Sequence, residues 1–419
     1  MSNICLCYGQ EPSYYFDKYS LDKGFTCKSA RDAVQDNAGF MYFTTENGLV
    51  RYNGHQFKYY RENKKDSLAL QASYCVFMEK DMKDKIWIMA GAELEIFDPT
   101  NETFHLIKKN TKDGKIAVKP TSFHFDAKRN WMWVATEDGL YVSKDNSYTL
   151  EPVFANGSIQ DDGIREMYFY NEKMYCIHDD GLLIYNIASH QTDFIKIYGG
   201  GFSIFVENVQ RVYVSTGYFG LILVNPMTKT VNKIPFSDPN LEHNAVESIL
   251  KDKTENKLWV GTVQGLYTFD LDKRKYTSYI AKDINSNAGI NSPICNFLFD
   301  NQNGLWICGH DGLYRLDFSK QFISQHKIPF LENRAGDDLP AEFYFEHHPR
   351  HKDSIAWIHL YYREMFRYDM VNKRQIPLPS KLAYYGKRKD IGIFNLKIDS
   401  KNRLWLMTNE EGAHSLRHQ

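Results

Sequence analysis

The chain has 419 residues, with 51 Lys and Arg against 52 Asp and Glu, for a formal net charge of -1. That balance argues against a dedicated nucleic-acid or membrane-surface binder, and no apolar run reaches the roughly 18 residues of a membrane-spanning helix. Aromatic residues make up 15% of the chain, led by 28 Tyr and 27 Phe, a composition that favours strands.

The chain opens with MSNICLCYGQ. Ile4–Tyr8 reads either as the tail of a secretion signal with cleavage near Gly9–Gln10, or as an ordinary terminus. Phe16–Tyr19 (FDKY) then has the pattern of an outer strand, as in Phe57–Tyr60, although no inner strands precede it. Phe40–Asn53, FMYFTTENGLVRYN, is the first full copy of a recurring pattern. Met132–Tyr141, Lys257–Asp270 (KLWVGTVQGLYTFD) and Leu305–Asp317 (LWICGHDGLYRLD) are others. Each is an apolar run holding Trp or Tyr, a polar turn ending in Gly, and a second apolar run ending near Asp or Asn. That is two strands joined by a tight turn.

One unit is counted per aromatic residue of the second strand: Tyr42, Trp87, Trp133, Tyr175, Tyr213, Trp259, Trp306, Trp357 and Trp405. The gaps are 45, 46, 42, 38, 46, 47, 51 and 48, a period characteristic of propeller blades. The unit from Ala245 reads as strand a over Val246–Lys251, b over Leu258–Thr262, c over Leu266–Phe269 and d over Tyr276–Tyr279. The apolar positions of a, b and c are too dense for a one-sided sheet, as when blades cover one another. Gly48, Gly139, Gly181, Gly220, Gly265 and Gly312 precede strand c, where a tight turn needs positive φ. Asp36, Asp126, Asp252, Asp300 and Asp399 follow strand a. Their spacing fails a calcium loop and suits side-chain capping of the a–b turn.

The expected fold is therefore all-β, a β-propeller of four-stranded antiparallel blades with nine repeat units. Residues 1-10 are the candidate signal remnant, 11-335 hold units one to seven, and 336-419 hold units eight and nine. Phe330–Pro340, polar with Gly and Pro, marks the boundary. Two arrangements remain open. Nine units form one ring sealed by Phe16–Tyr19, or seven form a ring and two begin a second, which is the favoured count because known propellers mostly have four to eight blades.

The seven cysteines, Cys5, Cys7, Cys27, Cys75, Cys176, Cys295 and Cys308, are scattered and odd in number, without a C-x-x-C. Buried free thiols are the expectation. No cofactor-binding motif occurs, nor any hydrolase or metalloprotease signature. His347, His348 and His351 suggest a metal but sit in an a–b turn broken by Pro349. No metal site is expected.

Strand order puts the b–c turns and the d–a links on one face, around the central channel. The b–c turns bring Glu46, Glu137, Asp138, Gln264, His310 and Asp311, and the starts of strand a bring Arg31, Asp32, Tyr74, Arg165, Asn244 and Asn291. Tyr218 and Phe219 lie in a b–c turn and suit stacking on a sugar ring. Arg31 and Arg165 stand out, because an Arg opening an inner strand needs an anionic partner or water.

The units resemble the two-component regulator propeller repeat, best in Asp300–Asp317 (DNQNGLWICGHDGLYRLD) and Lys257–Asp270. The opening from Phe16 to Tyr60, with F-x-x-Y-S and then AVQDNAGFMYFTTENGLVRYNGHQF, is similar to the start of such sensors. The resemblance implies the periplasmic sensor region of a hybrid histidine kinase, sensing oligosaccharides and partnering with downstream kinase segments or a second copy of itself. Such sensors carry two seven-bladed rings, an immunoglobulin-like domain, a membrane helix and a kinase. This sequence holds none of the last three and stops after the third strand of its last unit, so a fragment, a truncated gene or an isolated segment is expected. Two other readings remain: a propeller lyase or hydrolase using His310 with Asp311, and a protein-interaction scaffold.

Overall fold

The computed structural model describes residues 15–111, 114–145, 147–153, 163–236, 245–278, 282–283, 290, 292–318, 340–345, 355–360, 365–369, 374–379, 382, 393–398, 403–408 and 412–417. Among these the regular structure is almost entirely strand. The chain divides into two compact units, Met1–Phe322 and Ile323–Gln419.

The first unit holds seven sheets with inner strands at Ala30–Gln35, Cys75–Lys80, Pro120–Asp126, Ile164–Tyr170, Ile204–Asn208, Val246–Lys251 and Ile294–Phe299. Six are four-stranded antiparallel meanders in sequence order. The sixth runs Val246–Lys251, Lys257–Thr262, Gly265–Asp270 and Lys275–Ser278, as its sequence pattern predicts. The seventh takes its fourth strand from the other end of the unit. Tyr15–Tyr19 pairs antiparallel with Gly312–Leu316, from Phe16 opposite Leu316 to Tyr19 opposite Leu313. Lys282–Asp283 adds a short parallel strand beyond it. The sealing strand thus falls on the seventh sheet and not the ninth. A two-stranded hairpin, Lys108–Thr111 with Gly114–Ala117, stands in the link between the second and third sheets.

The repeating aromatic residues explain the stacking. Each sits inside the apolar cluster of the following sheet: Tyr42 with the second, Trp87 with the third, Trp133 with the fourth, Tyr175 with the fifth, Tyr213 with the sixth and Trp259 with the seventh. Trp306 of the seventh sheet lies with Phe43 and Val50 of the first. Truncating one such ring costs about 3–5 kcal/mol.

The turn acids do more than cap. Asp252 accepts the backbone N–H groups of Thr254 and Glu255 on Oδ1, and Trp259 Nε1–H on Oδ2 at 2.7 Å. Asp81 and Asp300 hold Trp87 and Trp306 in the same way, and Asp36 accepts the Tyr42 hydroxyl. One carboxylate therefore shapes the a–b turn and satisfies the buried ring that locks the next sheet. In the third sheet Arg129 takes the second oxygen of Asp126 at 2.6 Å, and Trp133 Nε1 has no partner.

Gly265 shows why glycine precedes strand c. Its φ is +126, and a Cβ would stand 2.3 Å from the Ile290 carbonyl oxygen. Gly265→Ala is expected to destabilise the first unit by about 3 kcal/mol, from backbone strain and that clash together. A thermal melt equal to the parent's would refute this.

The second unit holds a four-stranded sheet beginning at Pro340–Phe345 and a three-stranded sheet, Ile393–Ile398, Arg403–Thr408 and Gly412–Arg417. Trp357 packs with Leu404 and Leu406 of the last sheet. Trp405, grouped by its spacing with the buried rings, is 38% exposed. No further sheet follows among the described residues to receive it. The candidate signal remnant, His347, His348 and His351, and Asp399 lie outside the described residues.

Candidate functional site

Among the described residues of the first unit, five inner strands share a defect that positions the site. Pairing with the second strand skips one residue near the start, between Ala30 and Asp32, Pro120 and Ser122, Ile164 and Glu166, Val246 and Ser248, and Ile294 and Asn296. The skipped residues are Arg31, Thr121, Arg165, Glu247 and Cys295. A bulge re-aims such a side chain out of the sheet's alternation. The b–c turn is tied beside it: Asp179 N–H donates to Gly163 O, Val263 N–H to Ala245 O and His310 N–H to Pro293 O, all within 3.1 Å. Arg165 and Asp179 form an ion pair, so a bulge side chain reaches its own b–c turn.

Just below the bulges, contacts run from each sheet to the next, most of them polar. Asp32 accepts Met78 N–H from the second sheet at 2.8 Å and the Asn296 amide from the seventh at 2.7 Å. His124 Nδ1 of the third sheet lies 3.1 Å from a Glu79 oxygen of the second, and its ring stacks on Phe169 of the fourth. Glu166 accepts from Ser203 Oγ and Ile204 N–H of the fifth. Ser203 Oγ accepts Ile249 N–H of the sixth, and Ser248 Oγ donates to Ile294 O of the seventh. Burial pushes the Asp32 carboxyl up to about 7 against its three N–H donors, and the Glu166 carboxyl up to about 8. Burial opposes charge on His124, but Glu79 outweighs it and the imidazole is held above its ordinary value.

Two sectors of the loop face concentrate chemistry. In one, the Arg31 guanidinium lies 5.0 Å from the Tyr74 ring centre. Beside it, the ligand atoms of Glu247, Cys295 and His310 lie within 4.8 Å of one another. In the other, Tyr218 and Phe219 meet edge to face at 4.9 Å, with Lys233 Nζ 3.7 Å from the Phe219 ring centre. Gly199 lies close against the Tyr218–Phe219 pair, and Gly217 against Phe202, which places the 198–202 link beside the 217–219 turn. Tyr198 is 72% and Tyr218 55% exposed, and Phe202 is also exposed.

Solved structures similar to this chain include extracellular domains of hybrid two-component systems from B. thetaiotaomicron. One has 17% identity and a TM-score of 0.64, covering 96% of this chain and 53% of that one. Another has 15% identity and a TM-score of 0.57, covering 96% of this chain and 52% of that one. The chain shares their fold. It spans about half their length. A streptogramin B lyase is also similar, at 10% identity and a TM-score of 0.54, over 74% of this chain and 99% of that one. No family model and no curated protein matches. The sheets correspond to the blades of that fold.

Of the residues expected at the loop face, Arg31, Tyr74 and His310 fall in the first sector, and Arg165, Tyr218 and Phe219 in the second. Asp32 is buried between blades. Glu46 accepts Lys28 N–H, Ser29 N–H and Ser29 Oγ, and so shapes its own blade's entry. Glu137 is an exposed turn residue, and Asp138 pairs with Lys109 of the hairpin. Gln264 lies in its b–c turn, where its N–H donates to Thr262 Oγ1. Asn244 and Asn291 lie outside the described residues. Asp311 accepts the Tyr314 hydroxyl at 2.5 Å and pairs with Lys18 at 3.2 Å, so its carboxylate serves the sealing strand and not His310.

Glu247, Cys295, Asp179, Tyr198 and Phe202 were not anticipated at this face. Aligning Arg31 with Arg165 as one position of the repeat would have reached Glu247 and Cys295. Cys295 is half-buried, whereas Cys27, Cys75, Cys176 and Cys308 are buried. A cleft of about 530 Å3, lined by His124, Asp126, Arg129, Tyr168 and Phe169, lies toward the a–b turns of the third and fourth blades.

Proposed function

We propose that the chain is a non-catalytic ligand-sensing propeller of a two-component signalling system, exported to the periplasm, that takes an oligosaccharide on its b–c face. In this reading the first seven blades form one closed ring, and the last two begin a second. Support for closure comes from Trp306 seated in the first blade and Tyr15–Tyr19 completing the seventh. Its signal passes to downstream kinase segments or through a second copy of the chain.

The observation that carries the ligand class is the aromatic shelf, the exposed rings of Tyr198, Phe202 and Tyr218, on a link and a turn that Gly199 and Gly217 place side by side, with Gly200 against the Asp179 carbonyl of the Arg165–Asp179 pair. The C–H face of a sugar ring packs on the negative face of an aromatic ring, while the charged pair offers donors and acceptors to hydroxyl groups. No helix among the described residues is long and apolar enough to cross a membrane.

The test is a thermal-shift screen against oligosaccharide classes. One class should stabilise the chain by about 2.7 kcal/mol at a hundredfold excess over its Kd. Tyr218→Ala should lose most of that gain while melting normally without ligand. A panel without any stabilising class, or a gain that survives Tyr218→Ala together with Phe202→Ala, would overturn the reading.

A further inference from the structure

We propose that Glu247, Cys295 and His310 form a binding site for one zinc-class divalent cation at the junction of the sixth and seventh blades. The inference stands apart from the oligosaccharide reading and uses the other sector of the loop face.

The donors come from three anchored positions. Glu247 is the bulge residue of the sixth blade, Cys295 that of the seventh, and His310 opens the seventh blade's b–c turn. Their ligand atoms already lie within 4.8 Å of one another. Tetrahedral zinc, with bonds of about 2.0–2.3 Å, needs its donors roughly 3.5 Å apart. Side-chain movement of about an ångström closes the difference. The backbone does not have to move. His310 N–H is fixed to Pro293 O at 3.0 Å, Ile294 pairs with Gly309, and Ser248 Oγ donates to Ile294 O at 3.2 Å across the blade junction. The Arg165–Asp179 pair occupies the same two positions in the fourth blade and shows that bulge and turn side chains meet.

The donor set selects the metal. A thiolate, an imidazole and a carboxylate suit zinc or cobalt, whereas magnesium and calcium take oxygen ligands. Three protein donors leave a fourth position for water or an incoming oxygen. Charge balances as well. The ion exchanges with the Cys295 proton, which leaves to the buffer as the zinc–sulfur bond forms. The thiolate and the Glu247 carboxylate then neutralise the two positive charges, so neighbouring Arg31 faces a neutral centre.

The experiment uses the full chain, stripped with a chelator and titrated with Co2+ and then Zn2+. One equivalent of Co2+ should bind, giving a thiolate-to-cobalt charge-transfer band in the near ultraviolet that zinc abolishes. Cys295→Ser should lose that band. Glu247→Gln and His310→Asn should each weaken binding by about 100-fold or more, at least the upper end of what loss of a supporting residue costs. His105→Asn, on an exposed outer strand, should change nothing. Zinc should also slow alkylation of Cys295 in the parent chain, a readout that needs no variant to fold. The proposal is overturned if Co2+ binds without the thiolate band, if the band survives in Cys295→Ser, or if Cys295 alkylates equally fast with and without zinc.

Discussion

Removing residues 1–20 is expected to leave a first unit that aggregates and melts well below the parent. Tyr15–Tyr19 is the fourth strand of the seventh blade, taken from the far end of the unit. Phe16 is 1% exposed and packs with Trp259, Leu305 and Tyr314, meeting the Tyr314 ring edge-on at 5.1 Å. Tyr19 stacks on Trp306 at 5.2 Å and meets Tyr52 and Phe57 of the first blade edge-on. Lys18 adds a half-exposed ion pair with Asp311, worth little by itself. Without the strand, Gly312–Leu316 becomes an open edge beside newly exposed aromatic rings, a template for intermolecular pairing. Phe16→Ala alone should cost about 3–5 kcal/mol. Size exclusion and thermal melting check both variants, and a peptide covering residues 11–22 should partly restore the deletion. A monomeric deletion protein with the parent's melt would show that the junction of the seventh and first blades holds without this strand.

The stacking of blades was legible because one cause repeats. A wide ring every 38 to 51 residues has to enter the next sheet, and the strand that carries it announces itself by its apolar run. The turn acids were legible as caps but not as acceptors for the Trp indole, because that bond spans six or seven residues and depends on the ring's rotamer. The candidate site was less legible. Asn244 and Asn291, expected at strand starts, lie outside the described residues, and the re-aimed residues Glu247 and Cys295 lie inside the apolar runs. A bulge breaks the two-residue alternation by one position, and Glu247 then looks like an ordinary outward residue while Cys295 looks like core. The aromatic shelf was half seen. Tyr218 and Phe219 sit in a recognisable turn, but Tyr198 and Phe202 come from a glycine-rich link whose path no periodicity gives.

Asp300→Ala is expected to be the costliest single change at a polar residue of the first unit. Asp300 is 4% exposed. Its Oδ1 accepts Gln302 N–H at 2.9 Å and Gly304 N–H at 2.7 Å, and its Oδ2 accepts Trp306 Nε1–H at 3.0 Å and Arg315 Nε–H at 2.9 Å. Alanine leaves all four donors without this acceptor, one of them on a largely buried guanidinium whose remaining acid, Asp317, is 3.6 Å away. Breaking a buried pair from one side costs about 3–5 kcal/mol, more than the pair's own net worth. The damage also lands where it matters, since Trp306 is the ring that seats the seventh blade on the first. Asp300→Asn separates charge from shape. It keeps one acceptor oxygen but turns an amide NH2 toward the Trp306 and Arg315 donors, so it should recover little. Asp252→Ala gives the comparison. It removes the same turn cap and indole acceptor without a buried arginine, and should cost about 2–3 kcal/mol. Burial opposes charge on the Asp252 carboxyl, but the Glu255, Thr254 and Trp259 donors together outweigh it and hold the group below the ordinary carboxylate range. Its contribution is therefore full above that range and lost as pH falls through its own pKa, and the gap between Asp252→Ala and the parent should shrink in acid. Urea denaturation of the three variants decides the ranking. If Asp300→Asn matches the parent, the indole and guanidinium bonds do not hold this junction, and apolar packing alone does.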